Sequence, residues 1–81
     1  MREYDVSVEG SEESPGGLFQ KSPYEPGVWW ARFKAPTRTF AREAGKNLQR
    51  RFPDNRVTVF VDCGDFGRLV YDGRARAATE T

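Results

Sequence analysis

Arg38, Arg42, Lys46 and Arg50 stand four residues apart along TRTFAREAGKNLQRRF, residues 37–52. Arginine meets phosphate with a planar fork of donors that engages two oxygens at once; lysine meets it as a point charge. Residues four apart share a helix face, so these four form a row able to track a phosphate backbone. The same row is also what the wet side of an amphipathic helix looks like. Lys46, Arg50 and Arg51 would then gain from the negative end of the helix dipole, and Glu43 would pair with Lys46 or Asn47. The wet side is the simpler reading, and nucleic-acid binding is the alternative.

A second group lies in VWWARFK, residues 28–34. Alternation sends Trp29, Ala31 and Phe33 to one face and Trp30, Arg32 and Lys34 to the other. An aromatic ring flanked by cations on a sheet suits single-stranded nucleic acid, with the base on the ring and phosphates on the cations. Glu3 and Asp5 leave the first strand on that same outward face. Cross-strand ion pairs with Arg32 and Lys34 are therefore the simpler expectation.

Trp30 and Phe60, with Val70, are expected to gather on this open face. An apolar group on an uncovered sheet points to contact with another protein, and self-association is its simplest form. Leu18, Phe19 and Tyr24, from the loop before the second strand, either join that partner-binding surface or fold back over Trp30 and Phe60.

Other chemistry is thinly represented. GDFG, residues 64–67, ends in the tripeptide that holds metal in protein kinases, but no other motif of that fold accompanies it. Gly64 and Gly67 read instead as hairpin residues. Asp62, Asp65 and Asp72 have no calcium-loop spacing. With no His and one Cys, the zinc ligand sets are absent. No Ser or Cys sits in a nucleophile motif, and Cys63 at a strand end reads as a half-buried hydrophobe. Neither catalysis nor a cofactor is expected.

The whole chain narrows the choice further. Eighty-one residues make one domain, with little stability to spare. Thirteen basic and 12 acidic side chains nearly cancel, so net charge does not draw in polyanions. The distribution is uneven: residues 1–27 carry a net −4, residues 28–56 a net +6 and residues 57–81 a net −1. A single Cys forms no internal disulfide, and MREYDVSVEG lacks the apolar centre of a signal peptide, so the expected setting is the cytoplasm. Ten of the 13 basic residues are Arg, which fits a bacterial source of high GC content.

The elements that must position these residues follow from periodicity. Glu3–Val8 alternates as a half-buried strand. Residues 10–27, with their Gly and Pro, form a long loop with a short extended piece at Leu18–Phe19, and Gly10–Gly17 is expected to be mobile. Val28–Lys34 is the second strand, closed by Ala35-Pro36. Thr37 or Thr39 caps a helix that Pro53 stops, and Pro53-Asp54-Asn55 turns the chain. On the helix, Phe40, Ala41, Ala44, Leu48 and Phe52 are expected inside, with Gln49 among the outward polar residues. Gly45 costs the helix roughly 1 kcal/mol against Ala, which argues for close packing there. Arg56–Asp62 and Phe66–Asp72 form the last two strands around a turn at Cys63-Gly64-Asp65, with Leu69 and Tyr71 inward.

The expected fold is α+β: one amphipathic helix on a four-stranded, largely antiparallel sheet in the order β-β-α-β-β. The domain covers residues 1–73 and residues 74–81 form a frayed tail. The two hairpins are expected to meet through their first and last strands, or to form a meander. The expected function is a small, non-enzymatic, intracellular binding module of the kind bacteria and their mobile elements encode. It would act on another protein, or on a second copy of itself, through the open sheet face or the long loop.

Overall fold

The computed structural model describes residues 1–62 and 67–73. Its elements are β1 (Arg2–Glu9), β2 (Gln20–Lys21), β3 (Val28–Ala35), α1 (Arg38–Arg51), β4 (Arg56–Asp62) and β5 (Gly67–Asp72). The class is α+β, as the periodicity implies. The sheet has five antiparallel strands, however, where the sequence suggests four, and they lie in the order β2-β3-β1-β4-β5. The two hairpins, β1/β3 and β4/β5, join through β1 and β4, so the first strand does not meet the last. The additional strand is β2, two residues beyond the expected extended piece. Its polar Gln20 and Lys21 carry no periodic signal, and pairing with Trp30 and Trp29 holds them in place.

Alternation on the central strands builds the core. Tyr4, Val6 and Val8 of β1 lie opposite Phe33, Ala31 and Trp29 on one side and Val61, Val59 and Val57 on the other. Tyr4, Val8 and the three β4 valines are fully buried, each worth roughly 1.5–3 kcal/mol relative to exposure for an aliphatic side chain. Tyr4 and Phe33 stack with ring centroids 5.7 Å apart.

Helix α1 lies across this inner face. The Thr37 side chain caps it, accepting the Phe40 N–H at 3.1 Å. Gly45 is buried, and a Cβ built on it would lie 2.7 Å from Val59 Cγ2 and 2.9 Å from Tyr71 Cδ2. Its missing side chain is thus what lets the helix approach the sheet. Ala41 and Gly45 are buried, and Leu48 and Phe52 pack against the core, but Phe40 is 56% exposed. A row of residues four apart turns by about 40° per step around a helix. The row Phe40–Ala44–Leu48–Phe52 therefore begins on the solvent shoulder and reaches the core only at its end.

Gln49 follows the buried Ala41 and Gly45 at four-residue spacing and so also faces the sheet, against its expected outward position. Its Nε2 donates to the carbonyls of Phe52 (2.7 Å) and Asn55 (2.6 Å), and its Oε1 accepts the Val57 N–H at 3.2 Å. It fastens the helix end, the turn after Pro53 and the start of β4 together. The Asn55 side chain extends this by donating to the Glu9 carbonyl at 3.0 Å.

A second departure is in β5. The pairing of β4 with β5 shifts register between Val59 and Phe60, which places Tyr71 opposite Val59 but Leu69 opposite Phe60. Tyr71 is inward as expected; Leu69 is half-exposed on the outer face. Val70, expected outside, packs against the core. The turn at residues 63–65, Phe66 and the tail at 74–81 lie outside the described residues.

The long loop is drawn in at its neck. Gly27, at φ +77°, accepts both the Gly10 and Ser11 N–H groups at 2.9 and 3.2 Å, and Gly10 also has a positive φ, +83°. The Trp29 indole N–H donates to the Ser11 carbonyl at 3.0 Å, and Pro15 is buried. The segment expected from composition to be mobile thus carries specific hydrogen bonds at its start.

Candidate functional site

Among the described residues no helix covers the outer face of the sheet. Its side chains follow from register. One row holds Gln20, Trp30, Ser7, Thr58 and Asp72; the next holds Arg32, Asp5, Phe60 and Leu69. Val28, Glu9 and Arg56 line up beyond the first row, and Lys34 faces Glu3 beyond the second.

Most of the charge on this face is paired. Arg32 reaches Asp5 at 2.9 Å and Glu3 at 3.5 Å. This realises the expected cross-strand pairing for Arg32, with Glu3 engaged along the diagonal. The sequence reading missed a second set. Arg56 grips Asp72 with two hydrogen bonds, at 2.9 and 3.2 Å, and reaches Glu9 at 3.5 Å. Its hydrogen bond to Asp72 is the main reason the Arg56 guanidinium is held above its ordinary pKa. Between the two arginines, the Ser7 and Thr58 hydroxyls share a short hydrogen bond, with Thr58 buried. These eight groups come from four strands, β1, β3, β4 and β5, and the meeting around Arg56 could be found only by fixing the strand order.

The apolar residues expected on this face divide into two. Trp30 stands on β3 and Phe60 on β4, with the polar strand β1 between them. On the β3 side, Leu18 and Trp30, with Gln20, Ala31 and Arg32, line a shallow open groove of about 290 Å³. On the β4 side, Phe60 lies opposite Leu69. Both Trp30 and Phe60 are half-buried.

The loop residues part company as well. Phe19 turns inward and packs against the core, so it lies away from the groove. Leu18, its neighbour, is 86% exposed at the groove, and Tyr24 is 90% exposed. Neither Leu18 nor Tyr24 is folded down over the sheet. The groove is thus built by β2: pairing Gln20 with Trp30 fixes the chain direction, and successive residues then alternate between the core and the open face.

The basic row of α1 lies on the other side of the molecule. Arg38, Arg42 and Arg50 are exposed. Lys46 pairs with Glu43 at 3.5 Å, and Arg50 donates to the Asn47 side chain at 2.8 Å. The Arg51 guanidinium sits 5.5 Å from the centre of the Phe52 ring.

Among the described residues no group of three His, Cys, Asp or Glu side chains is placed to hold a metal ion. No described helix is long and apolar enough to cross a membrane. Comparison with protein-family models, curated proteins and solved structures finds no match.

Proposed function

We propose that the chain is a small, non-enzymatic cytoplasmic module that binds protein through the outer sheet face, anchored in the groove between Leu18 and Trp30. The observation that carries this reading is the placement of Leu18. A leucine held 86% exposed beside a tryptophan, on a face no described helix covers, contributes little to its own fold. Apolar surface left in water at such a place is repaid when a partner covers it. Tryptophan is among the residues that dominate binding when desolvated at an interface centre. The ion pairs at Arg32 and Arg56 supply a polar rim.

A second copy of the chain is the simplest partner. Strands about 4.8 Å apart, four of them roughly 20–26 Å long and the two-residue β2 about 7 Å, give a face of roughly 500 Å². This falls short of the ~800 Å² per partner of a standard interface. The contact is accordingly a small one, of the size found in weak and transient association.

Sedimentation equilibrium from about 10 μM to 1 mM tests the reading. The apparent mass is expected to rise with concentration in the wild type and stay monomeric for Trp30→Ser and Leu18→Ser. A wild type that is monomeric throughout removes self-association. Equal association by both variants removes the groove.

A further inference from the structure

The two faces of the sheet differ in how their charge is balanced. On the outer face, Arg32 and Arg56 are matched by Glu3, Asp5, Glu9 and Asp72. The acidic first strand is consumed there, with its outward carboxylates pointing away from the helix. Helix α1 therefore keeps its own charge. It carries Arg38, Arg42, Lys46, Arg50 and Arg51 against one acid, Glu43, a net of +4. Glu43 is engaged by Lys46. Arg38 and Arg42 are exposed with no ion pair among the described residues, and Arg50 touches only the neutral Asn47 amide.

From this separation we infer a second binding surface: the exposed band of α1 from Arg38 to Arg50 docks on the phosphate backbone of a nucleic-acid duplex. The band runs about 18 Å along the helix axis, and its four-residue spacing winds it through about 120°. Four cations are thus spread on a rigid element, free of the entropy loss that ordering a flexible basic tail entails. Duplex DNA offers one negative charge per about 1.7 Å, so an array of this length meets several phosphates wherever it lands. No aromatic side chain lies between Arg38 and Arg50 on the band, so nothing there stacks on a splayed base. The contact reads backbone and not sequence.

The test uses the full chain with a fluorescent DNA duplex and an RNA duplex of mixed sequence, titrated between 50 and 200 mM salt. Three to four phosphates neutralised give a log–log slope of about −2.7 to −3.6 on duplex DNA. Binding should weaken about 40- to 150-fold across that range. Replacing Arg38, Arg42 and Arg50 together by Gln should flatten the slope to about −1 and leave the thermal midpoint within a few degrees. Replacing the same three by Lys should retain the slope, which separates lost charge from lost structure. Trp30→Ser should leave duplex binding unchanged, so that failure of the groove and failure of the helix band are told apart. The inference is overturned if wild type and the Gln variant bind alike, if the slope stays near zero, or if anionic phosphatidylserine vesicles bind and neither duplex does.

Discussion

Gly45→Ala separates two forces that act in opposite directions. Judged by helix propensity alone, replacing a mid-helix glycine by alanine stabilises by about 1 kcal/mol. The structure opposes it. The added methyl would stand 2.7 Å from Val59 Cγ2 and 2.9 Å from Tyr71 Cδ2, and neither can yield easily. Val59 is fully buried with a branched side chain, and Tyr71 is a buried ring on β5. Forcing a methyl into a close-packed site costs about 1–3 kcal/mol. Packing wins, with a net loss of about 1 kcal/mol and a thermal midpoint lower by roughly 4–8 °C for a domain of this size. Circular dichroism melts and urea titrations of the variant give the sign directly. The double variant Gly45→Ala/Val59→Ala sharpens the test, because the new methyl occupies space that Val59 vacates. The two losses should then fall short of additive by about 0.5–3 kcal/mol. A midpoint that rises in the single variant, or strict additivity in the double, would refute the close approach of α1 to the sheet.

Two further changes probe polar groups. Gln49→Ala removes three hydrogen bonds, to Phe52, Asn55 and Val57, at about 1 kcal/mol net each, so urea titration should show a loss of about 3 kcal/mol. Gln49→Glu should be destabilised at neutral pH, where a carboxylate faces two carbonyls. It should recover in part on acidification, as the protonated group regains a donor. Arg56→Gln, on a half-exposed network, should cost about 1 kcal/mol or less, and the difference from wild type should shrink in high salt. The Arg56 pKa is raised by folding, so its contribution is fully present below the ordinary arginine value and is lost only as pH climbs beyond it. The difference between wild type and Arg56→Gln should therefore be equal at pH 7 and pH 9, and a smaller difference at pH 9 would contradict the pairing.

Local periodicity carried the fold a long way. The alternations in β1, β3 and β4, the Thr37 cap, the stop at Pro53 and the tight packing at Gly45 are all written in consecutive residues. The errors arose where position depends on distant partners. Strand β2 exists because Gln20 and Lys21 pair with Trp30 and Trp29, and nothing in their own types announces it. Leu69 faces outward because a register shift against β4 breaks its alternation with Tyr71. Phe40 and Gln49 were misplaced because the buried arc of the helix centres on Ala41 and Gly45, which leaves Phe40 on its solvent edge and brings Gln49, four residues past Gly45, to the sheet.

The candidate site shows the same limit more sharply. Its residue types were legible: Trp30 and Phe60 do leave their strands on the open face. Their separation was not legible, because it follows from β1 lying between β3 and β4. That order sets an acidic strand through the middle of the surface and leaves Leu18 with Trp30 and Leu69 with Phe60. The charge asymmetry divides likewise. The acids of β1 account for Arg32 and Arg56 and leave the helix uncompensated.

Concentration-dependent amide chemical shifts probe the groove most directly, since each residue reports for itself. Spectra of the wild-type chain at about 20 μM and 1 mM should differ at Leu18, Gln20, Trp30 and Arg32 and coincide at Arg38, Arg42 and Arg50, with the changes absent in Trp30→Ser. Shifts that move on the helix instead, or spectra that superimpose everywhere, would contradict a protein-binding groove on the outer sheet face.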